Sequence, residues 1–128
     1  QMMVLYGRRR IGKTRLITHW LKNRVKARGI YWVAHRSSPG MLLEKFSKVI
    51  RPCLGDIEAD FRFSDWESAL YQIFQLSRTR KLVLAIDEFP YLVESVPEFT
   101  SILQMLWDQN AQETHLMILL AGSHSYDV

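Results

Sequence analysis

The stretch Gly7-Arg8-Arg9-Arg10-Ile11-Gly12-Lys13-Thr14 decides the fold. It satisfies the pattern G-x-x-x-x-G-K-[ST]. The apolar run Met3-Val4-Leu5-Tyr6 precedes it and reads as a buried strand. A helical pattern follows from Gly12, with Leu16, Ile17, Trp20, Leu21 and Val25 on one face and Gly29 expected to close it. Strand, glycine-bearing loop and helix in that order make a cradle for phosphate. Successive backbone N–H groups of Arg10, Ile11, Gly12, Lys13 and Thr14 can wrap a phosphate chain, with Arg15 next in the helix's first turn. The helix N-terminus adds partial positive charge there. Gly7 and Gly12 allow a close approach that a side chain would block. Lys13 can reach the β- and γ-phosphates, and the Thr14 hydroxyl can bind Mg²⁺. The competing account is an ordinary glycine-bearing turn. Chance produces the pattern in well under ~1% of chains of this length at average composition.

Working outward, Ile30-Tyr31-Trp32-Val33-Ala34 reads as a second strand, rich in aromatic and β-branched residues. Met41 to Ile50 is helical by spacing, and Pro52 stops it. Residues 52–63 read as a loop. Ser64-Asp65-Trp66-Glu67 reads as a capping box opening a helix that runs to about Ser77. Leu82-Val83-Leu84-Ala85-Ile86 is a continuous apolar run with Asp87 at its end, as in a parallel strand covered on both faces. Pro97 is expected to open another helix, capped by Ser95, with Phe99, Ile102, Leu103, Leu106 and Trp107 inward. Leu116 to Ala121 is a second continuous apolar strand, followed by Gly122-Ser123. The order β-α-β-α-α-β-α-β predicts an α/β fold with a mostly parallel sheet.

Composition narrows the class. The 128 residues, 48% of them apolar, suffice for one domain with a real core. The 4 Trp, 5 Tyr and 6 Phe need burial and argue against disorder. No apolar stretch approaches the roughly 20 residues of a membrane span, and no secretory signal is legible. The single cysteine, Cys53, excludes an intrachain disulfide framework and is read as a partly buried thiol in a cytoplasmic protein. The charge is uneven. Residues 1–51 hold 13 Lys/Arg against one acid, Glu44, whereas residues 52–128 hold four against 12 acids. A basic first part suits a polyanion partner. Lys22, Arg24, Lys26 and Arg28 are read instead as cations late in a helix, where the dipole favours them. Arg8, Arg9 and Arg10 read as solvated loop positions, with contact to a partner subunit or polyanion as the alternative.

Asp87-Glu88 is the second chemical feature. An Asp at the end of the third strand can hold Mg²⁺ through a water. A Glu one residue later can orient and deprotonate an attacking water. Strand parity is expected to send the two carboxylates to different sides. A pair of exposed acids before Pro90 is the competing account, weakened by the phosphate motif upstream. Ser123 is a candidate γ-phosphate or water sensor; a plain turn serine is nearly as good an account on its own. Ligand groups gather at strand carboxyl ends in open parallel sheets, and all three features follow strands. His35 and Arg36 follow the second strand, at the expected far edge, and read as surface residues. His19 is expected on a helix surface, His115 before the fourth strand and His124 in a loop.

Tyr6 to Thr14 together with Ile86-Asp87-Glu88-Phe89-Pro90-Tyr91-Leu92 resembles the archaeal-type ATPases, AAA+-like proteins of the STAND group. Gln104-Met105-Leu106-Trp107-Asp108 and the strand ending Ala121-Gly122-Ser123 look like that family too. The resemblance implies an additional-strand P-loop NTPase, three layers α/β/α, sheet order 5-1-4-3-2. It implies ATP and Mg²⁺ as ligands. Lys13 and Thr14 take the phosphate-loop roles, Asp87 the magnesium role, Glu88 the water-activating role and Ser123 the sensor role, with Ser125 as the alternative sensor because His124 interrupts the usual pair of serines. Residues 1–128 would then be an ATPase core lacking the fifth strand, lid and C-terminal domains, weakly active or inactive alone.

The leading functional expectation is Mg²⁺-dependent ATP hydrolysis that drives conformational change in a larger protein. The alternative is a nucleotide-operated switch that regulates DNA or a protein partner with little turnover. A small-molecule kinase is a weaker third. DNA or protein would be engaged through the missing domains; a homo-oligomer is compatible, and no membrane is implied.

Overall fold

The computed structural model of the chain describes residues 28–55, 58, 60–110 and 114–122 in full and residues 2–6 as backbone. The elements are β1 (Met2–Tyr6), β2 (Arg28–Val33), α1 (Pro39–Ile50), a 3-10 turn (Arg51–Cys53), α2 (Trp66–Leu76), β3 (Leu82–Asp87), α3 (Phe89–Ser95), α4 (Phe99–Asn110) and β4 (Leu116–Gly122). The four strands form one parallel sheet in the order β1-β4-β3-β2. This is the 1-4-3-2 part of the expected strand order. Among the described residues β1 pairs with β4 alone, and β2 is the opposite edge.

Why these strands are central follows from their sequence. Every residue of β3 is buried, and every residue of β4 except Met117. Continuous apolar runs suit strands that lack a solvent face. Parity then sorts the side chains. Ile30, Trp32, Leu82, Leu84, Ile86, Leu116, Ile118 and Leu120 join the larger core with α1, α2, α3 and α4. Val83, Ala85, Leu119 and Ala121 form a separate small cluster on the other face, with Tyr31 and Met117 against it.

The larger core is aromatic. The Phe46 ring lies 5.2 Å from Trp32 and 5.1 Å from Trp66, and Trp66 meets Phe99 edge-on at 5.5 Å. Such pairs contribute about 0.5–1.5 kcal/mol each beyond area burial. The segment read as a loop feeds this core. Phe63 and Cys53 are buried, so the thiol is not partly exposed as expected. The buried Ser47 hydroxyl donates to the Leu43 carbonyl and accepts from the Phe63 N–H at 3.0 Å, which fastens the loop's end to α1.

Element ends differ from the sequence reading in five places, each for a local reason. Arg28 and Gly29 begin β2, paired with Leu82 and Val83, so Gly29 is a strand residue and not a helix terminator. Helix α1 starts at Pro39 because Ser38 caps it, its hydroxyl accepting from the Met41 N–H at 3.2 Å. Proline is tolerated in that first turn because its missing N–H would lack a helical partner anyway. Helix α2 is capped by Asp65 and not Ser64: the Asp65 carboxylate accepts from the Ser68 N–H at 2.7 Å. That bond, the largest influence, holds the Asp65 carboxyl below its ordinary range. Phe89–Ser95 is a helix, although Pro90 read as a turn signal. Ser95 ends α3 and donates to the Ser37 carbonyl, so it does not cap α4, which begins at Phe99 after the Pro97-Glu98 turn.

Candidate functional site

The carboxyl ends of β1, β4 and β3 lie side by side. Tyr6 pairs with Gly122, and Ile86 pairs with Leu120, so the ends of β1 and β3 flank the end of β4. Strand spacing puts them about 10 Å apart. The phosphate motif begins at the residue after Tyr6, and Ser123 is the residue after Gly122. Gly7, Arg8, Arg9, Arg10, Ile11, Gly12, Lys13, Thr14 and Arg15 lie outside the described residues, as do Ser123, Ser125, His19 and His124.

Asp87 is described in full. It is the last residue of β3 and 3% exposed. Its backbone carbonyl accepts from the Ala34 N–H at 3.0 Å, which ties it to the end of β2. Its side chain is held at both oxygens: Oδ1 accepts from the Glu88 N–H and Oδ2 from the Tyr31 hydroxyl, each at 2.8 Å. A buried carboxylate without such donors is costly. Here the donors fix its plane as well as solvating it.

Glu88 departs from the expected strand parity. It lies past the strand, in the left-handed region at φ 55, the one non-glycine residue with positive φ among the described residues. That conformation costs about 1–2 kcal/mol for an L-residue. The Asp87 side chain holding the Glu88 N–H, and the Tyr91 N–H donating to the Glu88 carbonyl at 3.0 Å, offset it. The left-handed step leads directly from β3 into α3. Glu88 is half-buried, and the direction of its side chain is therefore set by this turn and not by the pleat.

The rim beyond β2 is as the sequence suggested. His35 and Arg36 are exposed. Arg36 sits over the Tyr91 ring at 5.3 Å and pairs with Glu94 at 3.7 Å, a surface contact worth at most about 1 kcal/mol. His115 is exposed just before β4. No group of three or more His, Cys, Asp or Glu able to hold a metal occurs among the described residues. A single hard oxygen ligand such as Asp87 nevertheless suits Mg²⁺, which keeps several waters and binds through one or two carboxylates plus substrate phosphates. Tyr31 was not singled out by its sequence context. The available signal was a hydroxyl-tipped aromatic at the odd parity position of an otherwise apolar strand.

A four-stranded parallel sheet in this order, with helices between β2 and β3 and between β3 and β4, is an α/β fold of the P-loop NTPase type. The solved structures similar to it agree. A Walker-type ATPase of Pyrococcus abyssi matches with a TM-score of 0.63 and 19% identity, over 95% of this chain and 40% of that one. The ORC2 protein of Aeropyrum pernix, solved as ADPNP-ADP complexes, matches with a TM-score of 0.61 and 18% identity, over 96% of this chain and 35% of that one. Residues 1–126 match the family of ATPase domains found predominantly in Archaea, and the chain belongs to that family. It is thus a domain of the nucleotide-binding ATPase type. An uncharacterized protein of Methanocaldococcus jannaschii is 28% identical over 123 residues, which cover 96% of this chain and 25% of that protein. The chain therefore spans about a quarter of that relative's length. No described helix is long and apolar enough to cross a membrane.

Proposed function

We propose that the chain binds ATP with Mg²⁺ and hydrolyses the β–γ bond, and that turnover drives conformational change in a larger protein. The observation that carries this reading is the strand order: β1 and β3, the strands leading into Gly7–Thr14 and Asp87-Glu88, flank β4 along one rim. On this reading the backbone N–H groups of Arg10 to Thr14 hold the phosphates, with Gly7 and Gly12 allowing the close approach and Arg15 adding to the nucleotide site from the helix's first turn. Lys13 supplies positive charge at the terminal phosphates. Thr14 and Asp87 hold the metal, Asp87 through water. Magnesium, when held there, would supply positive charge that offsets the negative charge of the phosphates. Glu88 accepts a proton from the water whose oxygen attacks the γ-phosphorus as the β–γ bridging oxygen leaves with ADP. Ser123 hydrogen-bonds the γ-phosphate or that water. Motion would pass to DNA- or protein-binding segments of the whole protein.

Lys13→Ala is expected to abolish binding of a fluorescent ATP analogue by the folded protein. Unchanged affinity would sink the phosphate-loop assignment. Steady-state phosphate release from the full-length protein, with and without DNA, tests turnover. Tight binding without release in either condition would favour the nucleotide-operated switch.

A further inference from the structure

We propose that Tyr31 is a positioning residue for the metal-holding carboxylate, setting the Mg²⁺ affinity of the nucleotide site from the edge strand. The inference rests on the magnesium role proposed for Asp87 and adds to it a residue on a different strand.

The geometry comes from register. Val33 is the pairing partner of Asp87, and Tyr31 the partner of Ala85. Tyr31 is therefore the diagonal neighbour of Asp87 on the same face of the sheet. Diagonal neighbours lie about 7–8 Å apart, within reach of an aromatic side chain and beyond a short polar one. Side chains in strands lean along the strand direction. A tyrosine two positions before Val33 can thus carry a hydroxyl to the end of β3, and the Tyr31 hydroxyl donates to Asp87 Oδ2 at 2.8 Å. Serine or threonine at 31 would fall short, and phenylalanine would reach without donating.

The ring has a separate task. It packs against the small cluster of Val83, Ala85, Leu119 and Ala121. That packing anchors the ring, and the anchored ring fixes the hydroxyl. With the Glu88 N–H on Oδ1, both carboxylate oxygens then have a defined direction. Groups that orient a metal ligand in this way typically account for 10–100-fold in metal affinity. For a carboxylate acting through water, the low end applies.

The test is a Mg²⁺ titration of fluorescent ATP-analogue binding by the full-length protein. It compares wild type, Tyr31→Phe, Asp87→Asn and the double variant. Tyr31→Phe keeps the ring and its packing, so a circular-dichroism melt should match wild type. Its Mg²⁺ midpoint should rise about tenfold while affinity measured in EDTA stays unchanged. In the double variant Tyr31→Phe should add nothing to Asp87→Asn, because the hydroxyl acts through that carboxylate. A wild-type midpoint for Tyr31→Phe, with Asp87→Asn shifted, would overturn the role of Tyr31 and leave the metal role of Asp87 standing. Equal losses with Mg²⁺ and in EDTA would reveal a general structural effect and overturn it as well. So would additive shifts in the double variant. An unshifted Asp87→Asn would overturn the metal role itself and the proposal with it.

Discussion

The two faces of the one sheet are built from different residues. Between the sheet and the described helices Trp32, Phe46, Trp66, Phe89 and Phe99 interlock ring against ring. On the opposite face the buried apolar side chains of β3 and β4 are Val83, Ala85, Leu119 and Ala121. The first face has large apolar volume and leaves little polar business: its buried hydroxyls and amide, Ser47, Ser77 and Asn110, bond to nearby backbone. The second face carries the Tyr31–Asp87 pair, which crosses from one strand to another. Large rings supply burial and rigidity. Small side chains leave the strand ends available to polar groups. The contrast teaches that, among the described residues, strand parity divides β3 between two tasks: Leu84 and Ile86 join the aromatic face, and Ala85 and Asp87 the face that carries the polar bond.

The largest effect should come from breaking the first face. Phe46 is completely buried between Trp32 and Trp66. Phe46→Ala removes both ring contacts and leaves a cavity, so it should cost about 3–5 kcal/mol of folding stability. That is a large share of a typical domain's total. Urea unfolding followed by circular dichroism measures it. A loss below about 1 kcal/mol would mean that the aromatic cluster repacks freely, and the division between the faces would lose its basis.

How much of this contrast was legible beforehand depends on whether the signal was local. The runs Leu82–Ile86 and Leu116–Ala121 announced buried parallel strands, because lack of alternation is a property of each run alone. The place of Asp87 at the end of β3 was likewise readable, as the polar residue that closes an apolar run. Helix α3 was not, since Pro90 is as common in turns as in the first turn of a helix, and seven residues give little periodicity. The left-handed step at Glu88 also escaped, being imposed by the junction between β3 and α3. The capping box pointed one residue early, because Ser64 and Asp65 are both good caps and only the helix position of Ser68 decides between them. The Tyr31–Asp87 bond spans 56 residues and depends on the register between β2 and β3, which no local pattern encodes.

The second effect concerns the rim served by the small-residue face. Glu88→Gln keeps the side chain's shape and removes its basicity. Its backbone sits in the left-handed turn whichever side chain it bears, so folding should be unaffected. On the proposed mechanism, ATP binding should persist while phosphate release falls by about 10²-fold or more, the usual contribution of a general base. Joint loss of binding and turnover would make Glu88 a structural carboxylate. A change in urea midpoint comparable to that of Phe46→Ala would erase the division between the faces.

The smallest effect lies at the edge of the first face. Asp65 caps α2, the helix that carries Trp66 into the aromatic cluster. Its carboxylate is exposed, and the Ser68 N–H it accepts from lowers its pKa from the ordinary 3.8. A lowered folded-state pKa fixes the sign of the pH dependence. The capping contribution is fully present above the unfolded carboxyl's pKa and is lost as pH falls through the lower folded value. Asp65→Ala should therefore reduce the melting temperature slightly at neutral pH, by far less than Phe46→Ala. The gap to wild type should narrow in acid, where the wild-type cap is itself protonated. Asp65→Asn keeps a capping oxygen without a titrating charge, so its own melting temperature should lack this acid-dependent component. Thermal melts of the three proteins between neutral pH and pH 3 would decide it. A gap between Asp65→Ala and wild type that stays constant with pH would show that the charge contributes nothing, and that α2 is held in place by the burial of its apolar face, Trp66, Ala69, Leu70, Ile73 and Phe74.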